Sequence, residues 1–313
     1  MLDVAANSLF DVAAAASPIT WLNEHFRSSP HLIQFSSERW YGNELQLMTQ
    51  HPRNENRDAI DTYRVAGQRS GPTNGAEVDA IIARLGELQH QNPGWSIGVV
   101  TPFHEQAGAL EQAIVARFSY DEIRNMRLRV GTARGVQGTE RDIILLSLLI
   151  DERDFAESLS VIEDRHLFNV MVTRARSRIE IFHSFDPGAL PPGLLADWFQ
   201  YEKRPPGIGQ RSHAPNSRWT AELAQALELA GVRVVAGYPV AGWKVDLVVG
   251  EGDSAFGVET TVHPDGPEAH IERHLTLRRA GWHLVSMFEN SWLLKTQEAA
   301  IHLAGLARTR STT

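Results

Sequence analysis

Val130-Gly131-Thr132-Ala133-Arg134-Gly135-Val136-Gln137-Gly138-Thr139-Glu140-Arg141-Asp142, followed by Asn169-Val170-Met171-Val172-Thr173-Arg174-Ala175-Arg176, are the stretches that decide how this chain reads. The first is a glycine-punctuated loop between two buried strands of strand-like length, Leu128 to Thr132 and Ile143 to Leu149. Its glycines let backbone amides approach a ligand closely, and Gln137 and Glu140 bring polar groups to the same loop. A tight turn alone needs no more than Gly-x-x-Gly, so the full string is more specific than a turn. The second stretch predicts a helix over His166 to Arg174, then a strand over Arg178 to His183. Arginine is common at helix C-termini. It is also the side chain that often neutralises charge on a phosphoryl group in transfer from ATP.

Working outward, strand and helix alternate. A short helix over Leu9 to Ala16 ends at Ser17-Pro18, Thr20 to Phe26 is strand-like, and Ser28-Ser29-Pro30 starts a helix through His31 to Tyr41. Residues 50–75, rich in Asn, Arg and Gly, read as a loop or insertion. Glu77 to His90 carries apolar residues at helical spacing, Ser96 to Thr101 is a strand, and Glu105 to Phe118 is a helix. This alternation predicts a parallel α/β sheet. Prolines and glycines crowd residues 186–216, with one short helix near Leu194 to Tyr201. Beyond them the order is helix (Trp219 to Ala230), three strands (Val232 to Val235, Trp243 to Val249, Ala255 to Thr261), helix (His270 to Ala280) and strand (His283 to Phe288). That order differs from the first. The expected organisation is a domain over 1–200, a linker over 201–216 and a second domain over 217–313.

Composition bounds the partners. A chain of 313 residues, 42% hydrophobic and 22% charged, can bury two ordinary cores. Its formal charge of −8 gives no global attraction to nucleic acid, which must be held by local patches. The absence of cysteine excludes disulfides, thiolate zinc sites and a cysteine nucleophile, and fits a cytoplasmic setting. The longest apolar run, Ile143 to Ile150, is far too short for a membrane span, and the N-terminus lacks a basic n-region. A chain opening in mid-architecture reads as an excised or separately encoded C-terminal portion.

The two quoted stretches resemble motifs V and VI of superfamily 1 helicases of the AAA_12 type, from the second of that fold's two RecA-like domains. Ile97-Gly98-Val99-Val100-Thr101-Pro102-Phe103 with Gln106 is similar to the family's Thr-Pro-Tyr/Phe strand, and Glu24-His25-Phe26-Arg27-Ser28-Ser29-Pro30 to the segment that follows the crossing between the two domains. The resemblance implies that Arg174 is an arginine finger and that Arg27 reaches the γ-phosphate of ATP. It places Gln137 and Gly138 at the nucleotide, Glu140 near its sugar, and Thr101, Pro102 and Thr132 on the nucleic-acid track, while Phe35 and Tyr41 read as core. No Gly-x-x-x-x-Gly-Lys-Ser/Thr phosphate loop occurs in the sequence, and no acidic pair is placed for magnesium before residue 20. A first RecA-like domain, from missing sequence or a partner chain, would have to supply them, and the chain alone is expected to show no ATPase activity.

Residues 217–310 resemble the PD-(D/E)XK nuclease superfamily, especially its small Vsr-like modules. The resembling pieces are Ser217 to Glu222, Val240 to Val249, Gly257-Val258-Glu259, His270, Glu272-Arg273 and Arg279-Ala280-Gly281-Trp282. Two carboxylates on adjacent strands, Asp246 and Glu259, can hold Mg²⁺ or Mn²⁺ against a scissile phosphate, with Glu222 completing the cage. Thr261 stands where the motif has lysine. Lys244, on the same strand face as Asp246, is the candidate substitute. His270 and His274 lie four apart on a helix without a completing ligand set, and read as surface or DNA-facing residues.

The fold expected is therefore α/β: a RecA-like parallel-sheet domain followed by a smaller restriction-endonuclease-like domain. The function expected is the C-terminal part of an ATP-dependent helicase or translocase acting on nucleic acid, DNA favoured, with an appended metal-dependent nuclease-like module. The alternatives are a motor-dead nucleic-acid-binding or scaffolding protein and a stand-alone nuclease.

Overall fold

The apolar runs become the interior of a parallel sheet in the computed structural model, which describes residues 9–55, 58–91, 94–136, 138–150, 152–204, 213–292 and 295–311. The first unit opens with α1 (Leu9–Ala16), β1 (Glu24–His25), α2 (Pro30–Trp40), β2 (Gln46–Leu47) and β3 (Ile60–Arg64). It continues through α3 (Gly75–Gln91), β4 (Ile97–Thr101), α4 (His104–Arg117), α5 (Tyr120–Asn125), β5 (Arg129–Thr132) and β6 (Arg141–Ser147). Then come α6 (Phe155–Ile162), α7 (Arg165–Val172), β7 (Ala175–His183) and α8 (Leu194–Glu202).

The sheet order is β3-β7-β6-β4-β5, with every neighbouring pair parallel. Val99, Val100 and Ile143 to Leu146 are buried, because helices cover both faces of the sheet. Strands buried on both faces read as unbroken apolar runs rather than as alternation. One covering cluster gathers Phe35, Phe168 and Trp198, with the Phe35 ring edge-on to Trp198 at 4.9 Å. The other is built on Ile81, Leu85, Leu110 and Ile114 from α3 and α4.

Several boundaries differ from the sequence reading. β3 lies inside the predicted loop of residues 50–75. As the sheet's edge it buries Ile60 fully, while Asp61 pairs with Arg178 at 2.6 Å and Tyr63 stacks on Phe182 at 5.1 Å. An edge strand supported by such side contacts carries little apolar signal. The expected strand over Thr20 to Phe26 shrinks to two residues, and α7 stops at Val172, so Arg174 follows the helix instead of lying on it. Helices α5 and α6 were not anticipated.

The second unit comprises α9 (Arg218–Leu229), β8 (Val234–Val240), β9 (Trp243–Val249), β10 (Phe256–Glu259), α10 (Pro267–Arg279), β11 (Leu284–Ser286) and α11 (Thr296–Ser311). Its sheet runs β11-β10-β9-β8, antiparallel from β8 to β10 and parallel between β10 and β11. The unanticipated α11 lays buried Ala299, Ala300, Leu303, Ala304 and Ala307 into the cluster that holds Leu223 and Leu227 of α9.

Of the expected linker over 201–216, Tyr201 and Glu202 belong to α8, with Tyr201 buried in the first core, and residues 205–212 lie outside the described residues. The separation is not clean, because part of the first unit is packed by the second. Met48 is fully buried among Tyr238, Val240, Val245 and Trp282, and the His51 ring lies 4.3 Å from that of Trp282. The Ala241 amide donates to Gln50 Oε1 at 2.8 Å. Arg279 pairs with Glu24 at 2.8 Å, its guanidinium 4.1 Å over the Phe26 ring. Residues 24–51 thus form a strap held from both sides. Among the described residues, no helix is long and apolar enough to cross a membrane.

Candidate functional site

Three segments distant in sequence meet at one end of β6 and β7. Ser29 N–H donates to the Arg176 carbonyl at 2.8 Å, and Ser28 Oγ donates to that of Ala175 at 2.8 Å. Arg141 N–H donates to the Arg174 carbonyl at 3.2 Å. Backbone bonding therefore fixes the spacing between Arg27, Glu140 and the Arg174–Arg176 turn, whatever their side chains do.

On this frame Glu140 accepts Arg27 Nε at 2.5 Å on one oxygen and Arg176 Nε at 3.2 Å on the other. An open cleft of about 610 Å³ is lined by Glu24, His25, Phe26, Arg27, Glu140 and Arg176. Arg174 is half-buried beside it, its Nε donating to the Val170 carbonyl at 3.1 Å. Burial first, and then the positive charge of Arg27, lowers the pKa of Arg174 from its ordinary value. Burial, reinforced by Arg27, also pushes the His25 imidazole down to about 4. It is neutral near pH 7 and accepts the Ser28 amide at 2.9 Å. Two guanidiniums thus pair with one carboxylate, and the third, Arg174, is near enough to feel its charge. Arg27 and Arg176 are 38% and 52% exposed. Ion pairs this open are worth about 0–1 kcal/mol, so an incoming anion can take them over at little cost.

Gly138 has a φ of +83°, a left-handed conformation that favours glycine. Gln137 lies outside the described residues. Thr101 and Thr132 are register partners at the adjacent ends of β4 and β5. Thr132 and Pro102 are half-buried, whereas Thr101 is fully enclosed, so its side chain offers no surface to a ligand in this arrangement. Gln106 is likewise buried, donating to Ser147 Oγ at 3.0 Å in a network around the buried Glu77. Two residues gain significance beyond the sequence reading. Arg176 is a direct partner of Glu140, and its place in the quoted motif was the available signal. Tyr41, read as core, is 44% exposed, and its hydroxyl accepts Asn169 Nδ2 at 3.2 Å.

In the second unit β9 and β10 pair Val258 with Leu247, and the next step of that register sets Glu259 against Asp246. Both are buried, but a guanidinium stands between them. Arg273 of α10 approaches Asp246 Oδ1 at 3.2 Å and Glu259 Oε1 at 3.6 Å. Asp246 also accepts Asn216 Nδ2 at 3.0 Å and the amides of Thr260 and Thr261 at 2.8 and 3.0 Å. The other Glu259 oxygen meets His274 Nδ1 at 2.7 Å. Glu222 does not join them; it pairs with exposed Arg218 at 2.6 Å, while Thr220 of the same helix faces Thr260. Lys244 has an exposed side chain, and its carbonyl accepts Arg273 Nη1 at 3.4 Å. His270 and His274 turn toward Glu259 instead of the surface. Among the described residues, no group of three or more His, Cys, Asp or Glu side chains is arranged to hold a metal ion. The donor set suits the guanidinium already in it and does not fit Mg²⁺ or Mn²⁺.

Residues 5–184 match the family model AAA_12, described as an AAA domain. The chain is similar to the uncharacterized ATP-dependent helicase MG140 of Mycoplasma genitalium, 32% identical over 52% of this chain and 16% of that protein. It is also similar to the DNA polymerase alpha-associated DNA helicase A of Saccharomyces cerevisiae, 28% identical over 34% of this chain and 15% of that protein. The chain thus spans under a fifth of the length of the curated relatives it matches. Among solved structures, it resembles the C-terminal domain of a possible DNA helicase from Lactobacillus plantarum WCFS1, at 14% identity and a TM-score of 0.33, over 52% of this chain and 91% of that one.

Proposed function

The chain belongs to the AAA_12 family of AAA domains, and from that premise we propose that it is the arginine-bearing half of an ATP-dependent helicase or translocase. In this reading residues 1–200 are the second RecA-like domain of the motor. The observation that carries it is the pairing of two open guanidiniums, those of Arg27 and Arg176, to the one carboxylate of Glu140 at the cleft. Arg174 and Arg27 would meet the γ-phosphate of ATP, Gly138 and Gln137 would approach the nucleotide, and Glu140 would exchange its arginine partners for the sugar. Neutralising charge on the phosphoryl group as it transfers is the chemistry such arginines supply. A first RecA-like domain would bring the phosphate loop and the Mg²⁺ ligands, which this sequence lacks. Nucleic acid, DNA favoured, would cross near Pro102 and Thr132, held largely through its phosphates. The module over 217–313, joined through 201–216, is read as restriction-endonuclease-like in architecture.

Two measurements test this. Phosphate release from ATP by the purified chain alone should be undetectable, and turnover would contradict the reading. Affinity for single-stranded DNA should fall steeply between roughly 50 and 200 mM salt, since phosphate contacts release counterions; a salt-independent affinity would remove the nucleic-acid track from this surface.

A further inference from the structure

Independently of the helicase reading, we infer that the guanidinium of Arg273 permanently takes the place of a divalent cation between Asp246 and Glu259, making the carboxylate pair a metal-free latch that fastens α10 to the sheet. The Arg273 side chain is 5% exposed, and those of the two acids are 2% exposed each. Its Nη1 points at Asp246 Oδ1 and the Lys244 carbonyl, at 3.2 and 3.4 Å. Its Nη2 lies 3.4 Å from the Thr261 carbonyl, 3.1 Å from His270 Nδ1 and 3.6 Å from Glu259 Oε1. The planar fork of arginine is suited to bridging two carboxylates in this way.

Of the ligand atoms that a metal would need, those of Asp246 are already engaged, and Glu259 Oε1, without a hydrogen-bond donor, faces the Arg273 guanidinium at 3.6 Å and His270 Nε2 at 3.9 Å. Asp246 Oδ2 takes the Thr260 and Thr261 amides and, at 3.3 Å each, both of their hydroxyls; Oδ1 takes Asn216 and Arg273. A carboxylate has about four acceptor sites, so Asp246 has none to spare. The position where a lysine would orient water is Thr261, whose hydroxyl also accepts Asn216 Nδ2 at 2.7 Å. Arg273, His270 and His274 project from one face of α10 at spacings of three and four, so a single helix face brings every group that answers the acids from that side. The positive charge of Arg273 lies between two buried negative ones and offsets their mutual repulsion. With Arg273 in place the pair serves cohesion, not phosphodiester hydrolysis.

Mn²⁺ is the probe, used with the full chain after dialysis against EDTA. Electron paramagnetic resonance should find all added Mn²⁺ free in solution with the wild-type chain, and its melting temperature should be the same in Mn²⁺ and in EDTA. Arg273→Ala should lower the melting temperature, and Mn²⁺ should restore part of the loss by binding the exposed acids. That recovery should vanish when Asp246→Asn is added. If Arg273→Ala fails to fold, Arg273→Lys supplies the intermediate loss of stability, and the wild-type titration still decides the matter. Stoichiometric Mn²⁺ uptake by the wild-type chain, lost on Asp246→Asn, overturns the inference. So does an Arg273→Ala chain as stable as wild type.

Discussion

Around Glu140 a single half-buried carboxylate faces Arg27, Arg176 and, a step behind them, Arg174, at a cleft open to solvent. Between β9 and β10 two buried carboxylates share one buried guanidinium, and Asp246 takes further donors from Asn216, Thr260 and Thr261 while Glu259 meets His274. The residue types are the same and the ratios are inverted. The first cluster holds positive charge in excess, on pairs weak enough to exchange. The second has closed on itself. Motifs alone assign a ligand to both clusters, whereas exposure and stoichiometry separate them: surplus charge at a surface is available for chemistry, and matched charge in the interior is structure.

The largest effect is expected at the open cluster, in the chain joined to a first RecA-like domain. There, Arg174→Ala or Arg27→Ala should lower kcat for ATP hydrolysis by about 10³-fold or more, the range of an arginine finger. Melting of the isolated variants should be nearly unchanged. At the closed cluster the expectation is opposite in kind. Arg273→Ala should cost about 3–5 kcal/mol in equilibrium denaturation, because removing one partner leaves buried charge uncompensated.

Acid sharpens the contrast between the strap and its surroundings. Burial lowers His25 to about 4 and His51 to about 3, against 6.5 when unfolded. Below pH 6.5 the unfolded chain therefore binds protons that the folded one refuses. Stability is full above that pH and declines as pH falls toward 4 and then 3. Chemical denaturation between pH 7 and 4 should show this decline, and His51→Gln should flatten it. The smallest effect is expected for Glu222→Ala, whose partner Arg218 is fully solvated. It should leave the melting temperature unchanged, whereas a Mn²⁺-dependent change would return Glu222 to a metal cage.

Much of the first unit was legible because parallel strands buried on both faces write themselves as runs such as Ile143 to Leu146. The edge strand β3 was not, since Asp61, Thr62, Tyr63 and Arg64 leave only Ile60 as a deeply buried apolar anchor. Helix α11 was missed for a related reason: its contact stripe is mostly alanine, which packs closely but contributes little to an apolar pattern. The nearness of Arg27 to Glu140 and Arg174 was approached through motif resemblance, because segments more than 100 positions apart are joined by tertiary bonds, such as Ser29 to Arg176, that leave no mark on local sequence pattern. Arg273 stood out in the sequence only within Glu272-Arg273, a piece of the nuclease resemblance to which no role was attached. Nothing in the spacing of Pro267 to Arg279 tells which arginine turns inward; only the packing of α10 on the sheet does so.

The central claim is that the guanidiniums beside Glu140 belong to a composite ATP site. It is tested most directly by a crystal structure of the chain joined to a first RecA-like domain, with a non-hydrolysable ATP analogue and Mg²⁺, reading the distance from Arg174 and Arg27 to the γ-phosphate. Both guanidiniums should lie within hydrogen-bonding distance of its oxygens, with the Arg27–Glu140 pair opened. A bound analogue with that pair intact and both arginines turned away from the phosphate would contradict it.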